Sequence, residues 1–147
     1  MQSPDPIDQV HLLIQTHMRA LGEGDLEALI ATMTDDIECD LVGGSPNRVR
    51  GKDAVRAHFM GEFANTMGER VIPLRRLYGA GFVVDEAIWE GRVTGRVGPL
   101  VGNGRRVTQR VLRIFETRDC RIARQTVYAD FAALALQLPS IAPEVKR

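Results

Sequence analysis

The chain has 147 residues with 19 basic and 19 acidic side chains, a formal net charge of zero and only 5% aromatic residues. That length suits a single domain, residues 1–147, with one substantial core, and balanced charge with so few rings argues against a nucleic-acid binder built on a basic face and stacking platforms. Residues 1–69 stand at −7 and residues 70–147 at +7, but the arginines of the second half alternate with apolar residues along strand-like runs, so solvated strand faces or ion pairs explain the excess better than a nucleic-acid surface.

Taken in order, Ile7, Val10, Ile14, His17 and Leu21 recur at steps of three and four, the stripe of a first helix that Gly22 is expected to stop. Asp25 is placed to cap a second helix with Leu26, Leu29, Ile30 and Met33 as its buried side, and Thr34-Asp35-Asp36 hands over to a strand ending in Ile37-Glu38-Cys39-Asp40-Leu41-Val42. Gly43-Gly44-Ser45-Pro46 is a turn, and a third helix follows Gly51 with Val55, Phe59 and Phe63 four apart. Four strand-like runs come next, near 71–78, 82–97, 105–117 and 121–131, separated by Gly79-Ala80-Gly81, by Gly98-Pro99 through Gly104 and by Arg118-Asp119-Cys120, turns that suggest an antiparallel meander, before a short helical run at 131–138. Loose ends are expected in the first few residues and from Pro139. Helices grouped ahead of a bent antiparallel sheet describe an α+β fold, a strongly curved sheet wrapped around N-terminal helices to leave a cone-shaped hollow.

Cys39 and Cys120 are far apart and show no CxxC spacing, and His11, His17 and His58 make no ligand pair on one helical face, so neither a disulfide nor a metal site is implied. No phosphate-binding glycine loop follows a strand, and no cofactor is expected. With no signal segment and no apolar run near the roughly 20 residues of a spanning helix, the expectation is a soluble, cytoplasmic protein without a membrane partner.

Two acids stand out because each sits at the end of an apolar run: Asp40 before the Gly43-Gly44 turn, and Asp130 in Tyr128-Ala129-Asp130-Phe131. A carboxylate held among hydrocarbon loses hydration and moves toward the range where it exchanges protons at neutral pH. Both converging on one hollow would make an acid/base site. Trp89, Phe59, Phe63 and Tyr128 would line its apolar wall, with Arg92 as a polar contact.

The stretches 20–26, 34–43 and 50–56, together with 95–100, 104–107 and the closing Tyr128-Ala129-Asp130, resemble the nuclear transport factor 2-like superfamily, and within it the SnoaL-like polyketide cyclases and ketosteroid isomerases. The resemblance covers nearly the whole chain. It implies the cone fold, a small hydrophobic guest and a homodimer formed through the outer face of the sheet. It places Asp40 at the isomerase base, which removes a proton next to a carbonyl and returns it elsewhere; it places His17 where the isomerase has a tyrosine donor, and Val111 where it has a protonated aspartate. Asp130 matches the acid/base of the cyclases. Limonene epoxide hydrolases set an arginine between two aspartates, and Arg92-Val93-Thr94 is the nearest counterpart, with the acid missing.

Each residue also has a plainer reading. Asp40 can bind turn amides, since strand alternation puts it with Glu38 and Val42, opposite Cys39 and Leu41. Asp130 can be an N-cap, His17 a core histidine, Arg92 a surface partner of Glu90, and the aromatic residues ordinary core. Function therefore stands between a cofactor-independent cyclase or isomerase with Asp40, Asp130 and His17 as catalytic groups, an epoxide hydrolase, and a non-catalytic ligand-binding or dimerisation module.

Overall fold

The structure, a computed structural model, describes residues 5–44 and 47–138. The two expected loose ends and Ser45-Pro46 of the turn lie outside the described residues. Asp5 accepts a hydrogen bond from the Ile7 amide and opens α1 (Pro6–Glu23). Gly22 does not end this helix. The end comes two residues later at Gly24, whose left-handed φ of 68° lets its amide turn back to the Ala20 and Leu21 carbonyls. Asp25 caps α2 (Leu26–Ala31) through the Ala28 amide, as its side chain predicts.

Then follow β1 (Met33–Val42), β2 (Arg48–Arg50), α3 (Lys52–Asn65), β3 (Thr66–Gly79), β4 (Phe82–Val93), β5 (Arg96–Val97), β6 (Leu100–Val101), β7 (Arg105–Arg118), β8 (Arg121–Ala129) and α4 (Phe131–Gln137). Six of the strands make one open sheet in the order β2-β1-β8-β7-β4-β3, and β5 pairs with β6 in a separate small ribbon. The meander β3-β4-β7-β8 is antiparallel, as the turns imply. β1 joins β8 in parallel, with Cys39 opposite Gln125 and Leu41 opposite Val127. Further departures from the sequence reading are local: Met33, expected on the buried side of the second helix, is the first residue of β1. β3 begins at Thr66 rather than near Val71, and its Pro73 is tolerated because β3 is an edge strand with a register shift between Pro73 and Arg75. The run expected to continue to residue 97 stops at Val93, after which Thr94 and Gly95 bond back to the Asn65 carbonyl.

The helices cover one face of the sheet, and side-chain alternation decides what each strand sends there. A first core joins Val10 and Ile14 of α1, Leu29 and Ile30 of α2, and Val55 and Phe59 of α3 to Ile37, Cys39, Val83, Phe115 and Ile122 of the sheet. A second core, under α4, is Val93, Leu100, Val107, Leu134 and Leu138, with Trp89 and Phe131 against it. Between these two cores lies a stretch of inner face with charged and polar side chains, among them Asp85, Arg113 and Gln109. Among the described residues no helix is long and apolar enough to cross a membrane.

Candidate functional site

Along β7 the inner-facing residues run from Phe115 of the first core through Arg113, Val111 and Gln109 to Val107 of the second. On β4 the matching row is Val83, Asp85, Ala87, Trp89, Gly91 and Val93. Strand register then lays out two neighbouring rungs across the sheet: Leu41, Val127, Arg113, Asp85 and Arg76, and beside it Ala129, Val111, Ala87 and Pro73. One rung is charged at its centre. The next is a shelf of small side chains.

Asp85 is 4% exposed, and its Oδ1 accepts a 2.8 Å hydrogen bond from Arg76 Nε. Arg76 also reaches the Tyr78 hydroxyl at 3.5 Å, and that hydroxyl lies 2.5 Å from His11 Nδ1 on α1. Burial works against the Arg76 charge, but the Tyr78 hydroxyl and Asp85 outweigh it and hold its pKa above the ordinary value. Arg113 is shifted the other way: burial disfavours its charge more than the carboxylates of Glu62 on α3 and Asp85 favour it. Among the described residues its guanidinium holds no hydrogen bond and no ion pair within 4 Å.

His17 faces the same region. It is fully buried, edge-on to Phe115 at 5.2 Å between ring centres, with Nδ1 2.8 Å from Thr32 Oγ1. The Thr32 hydroxyl donates its one proton to the Leu29 carbonyl at 2.6 Å, so His17 Nδ1 must be the donor toward Thr32 and Nε2 is left as a bare acceptor. Among the described residues that nitrogen has no partner, nor do Gln125 Oε1 and Gln109 Nε2. Burial first, then the charge of Arg113, lowers the His17 pKa to about 3, so the ring is neutral at physiological pH. The sequence reading allowed His17 to donate toward a substrate oxygen. The tautomer reverses that, and it presents an acceptor. Cys39 is inert as a nucleophile, because burial, then Glu62 and Glu38, push its thiol up to about 12.

The two acids singled out in the sequence do not meet. Asp40 alternates onto the face opposite the buried Cys39, where its carboxylate pairs with Arg48 at 3.4 Å and Arg124 at 3.7 Å. Asp130 is exposed and caps α4 by accepting from the Ala133 amide at 3.0 Å. Asp40 stands opposite Thr126, four residues before Asp130, so the two are separated along the sheet by roughly 13 Å of strand rise. Arg92 is on that outer face too, bonded to Glu69 at 2.8 Å and to the Gly104 carbonyl, while Glu90 turns to Arg70. The expected Arg92–Glu90 pair is thus replaced by two pairs with the neighbouring strand. Tyr128 points outward and is 45% exposed.

Phe59 is buried in the first core with Phe63 at its edge, their rings 6.2 Å apart. Trp89 faces inward, but its ring lies over Gly68 and Gly91, where a side chain would collide with it, and leans on the second core. Two surface depressions of about 470 Å³ each are lined by Asp53, Arg56, Met60 and neighbours on α3, and by Thr34, Asp35, Asp36, Arg118, Asp119 and Arg121; neither touches these residues. Among the described residues no group of three or more His, Cys, Asp or Glu side chains is arranged to hold a metal ion.

A helix-lined curved sheet with this strand order is a known architecture, and the family model for the SnoaL-like domain matches residues 14–125. The chain belongs to the SnoaL-like domain family. Solved structures agree on the fold. A candidate SnoaL-like polyketide cyclase from Jannaschia superposes with a TM-score of 0.81 at 18% identity, over 97% of this chain and all of that one. A candidate polyketide cyclase from Xanthomonas campestris gives 0.77 at 20% identity, over 90% and 98%. An epoxide hydrolase of the limonene type from Mycobacterium tuberculosis gives 0.71 at 22%, over 91% and 92%. No curated protein matches the chain.

The signal for the inner acid and arginine was present in the sequence. Asp85 interrupts the row Val83-x-Asp85-x-Ala87-x-Trp89, and Arg113 the row Val107-x-Gln109-x-Val111-x-Arg113-x-Phe115. A charge in step with apolar residues, not out of step with them, marks a charge sent to the core.

Proposed function

We propose that the protein is a cofactor-independent acid/base enzyme acting on a small hydrophobic carbonyl compound, a cyclase or isomerase of the SnoaL-like kind. The observation that carries this reading is the inner-face rung on which Asp85 and Arg113 stand opposite one another. Arg76 holds Asp85 Oδ1 and so fixes the carboxylate, leaving Oδ2 to take a proton from the carbon next to a carbonyl. The Arg113 guanidinium stabilises the negative charge that gathers on the carbonyl oxygen, and it does so without reorganisation because the strand holds it in place. Asp85 then returns the proton at a second atom. The small rung of Ala129, Val111 and Ala87 seats the apolar body of the guest, and His17 Nε2 accepts from a hydroxyl or enol on it. Asp40 and Asp130 serve the fold in this scheme, as ion-pair partner and helix cap.

Compounds retained by the purified protein, identified by mass spectrometry, supply the substrate for the test, which follows exchange of their α-hydrogens in D₂O by NMR. Exchange should be lost in Asp85→Asn and kept in Asp40→Asn and Asp130→Asn, with thermal unfolding run alongside. Loss in either outer variant while Asp85→Asn stays active would falsify the assignment.

One feature favours a second reading. Arg113 lies in the field of two carboxylates from different elements, Asp85 on β4 and Glu62 on α3, an arrangement able to orient water toward an epoxide. Incorporation of ¹⁸O from water into a diol, abolished by Glu62→Gln, would select it. The assembly we propose is a homodimer across the outer face, where Val42, Leu77, Phe82 and Tyr128 keep 40% to 47% of their surface exposed. Sedimentation of Tyr128→Glu as a monomer would support it, and a monomeric parent would exclude it.

A further inference from the structure

We infer that the inner-face site takes an apolar molecule bearing a carboxylate, gripped by the guanidinium of Arg113. This rests on the reading of the inner face as the substrate site and narrows the substrate from a neutral carbonyl compound to an oxo acid, whose carboxylate and adjacent carbonyl oxygen the five donors of one guanidinium can hold together.

The arginines of the chain divide cleanly. Arg56, Arg76, Arg92 and Arg124 are partly buried, and each has a carboxylate within 4 Å: Glu27, Asp85, Glu69, and Asp40 with Glu116. Arg113 is also partly buried. Among the described residues it alone of this group has no acid within that distance. Asp85 is already held by Arg76 at 2.8 Å, and Glu62 on α3 is exposed, so neither nearby carboxylate closes on Arg113. Asp85 and Glu62 act on Arg113 only at a distance, and a half-buried cation with no acid in contact gains from a negative charge that arrives to meet it.

The surroundings fit such a guest. Arg113 is half-buried on the inner face, so its guanidinium keeps some accessible surface. Beside it lie the small residues Ala129, Val111 and Ala87, which suit hydrocarbon and offer no competing polar group. Gln109 Nε2, further along the same strand row, is a buried donor without a partner among the described residues. A guanidinium presents its donors as a planar fork that matches the two oxygens of a carboxylate, a match that an ester or amide of the same shape lacks.

The test compares cyclohexanecarboxylate and 1-naphthoate with their carboxamides and methyl esters, by thermal unfolding and by amide NMR shifts on β7 and β8. The acids should raise the unfolding temperature and move those amides, with at least tenfold weaker binding of the neutral analogues. Arg113→Gln should lose that preference, and the outer-face control Arg110→Gln should keep it. Equal binding of acid and amide by the parent overturns the inference, as does acid binding that survives in Arg113→Gln, or no binding of any acid in the series; the acid-against-amide comparison needs no variant to fold. The two proposals fail separately. Carboxylate binding without hydrogen exchange removes the enzyme reading and leaves this one, whereas exchange on neutral guests without preference for acids does the reverse.

Discussion

The two faces of the sheet use the same pair of residue types to different ends. On the outer face, arginines and carboxylates form a lattice of surface pairs: Glu38 and Asp40 with Arg48, Asp40 and Glu116 with Arg124, Glu86 with Arg110 and Arg75, Glu90 with Arg70, and Glu69 with Arg92 and Arg106. The arginines of these pairs keep 40% to 71% of their side-chain surface exposed, so each pair contributes little. On the inner face there are fewer charged groups, and they do not cancel. Asp85 and Arg76 pair, while Arg113, His17 Nε2, Gln109 Nε2 and Gln125 Oε1 lack partners among the described residues. On the function proposed above, the outer lattice is structural and the open donors and acceptors of the inner face are what a guest would meet.

This contrast can be broken by measuring stability on both faces. Phe115→Ala empties a fully buried site between His17 and the first core and should cost about 4 kcal/mol. Asp85→Ala leaves Arg76 without its buried partner and should cost about 3 kcal/mol. Urea unfolding gives both values, and a loss under about 1 kcal/mol for Asp85→Ala would place that pair in the same class as the outer lattice.

His17 sharpens the contrast through pH. Its pKa falls from 6.5 in the unfolded chain to about 3 in the fold, so between those values the unfolded state binds a proton that the folded state refuses. The contribution is fully present above pH 6.5 and is lost as pH drops toward 3, with a slope of up to about 1.4 kcal/mol per pH unit in that window. Urea midpoints at about pH 7, 6, 5 and 4 should show that slope in the parent, and a smaller one in His17→Gln, which removes the titrating group. Identical slopes would mean that the imidazole is solvated.

The smallest effects belong to the acids that the sequence made prominent. Asp130→Ala should cost about 1 kcal/mol through the lost cap, and Asp130→Asn almost nothing, because asparagine caps as well. Asp40→Asn should cost about 0.5 kcal/mol. A loss as large as that of Asp85→Ala would erase the difference between the faces.

Much of the fold was legible because it rests on local signals: the stripe of Val10, Ile14 and His17, the caps Asp25 and Asp130, and the turns at 79–81 and 118–120. The alternation around Asp40 was also legible, grouping it with Glu38 and Val42 against Cys39 and Leu41. Which of those two sets faces the helices was not, because β1 is placed by pairing with β8, a partner far away in sequence. Strand alternation flags Asp85 and Arg113 one at a time, but a long-range fact of the same kind hid that they stand together. Asp85 and Arg113 become opposite neighbours only through the β4–β7 register, and neither lies beside a motif that would announce it.

The parallel seam between β1 and β8 sets a timetable for making the protein. Met33 is matched with Ile122 and Val42 with Tyr128, so the early strand against which α2 and α3 pack has only the short β2 as a partner until residues 121–129 have left the ribosome. Contacts of such sequence separation close slowly. Until then the apolar side of α1 and the edge of β1 stand uncovered, and a nascent chain stalled before residue 121 should be a client for chaperones.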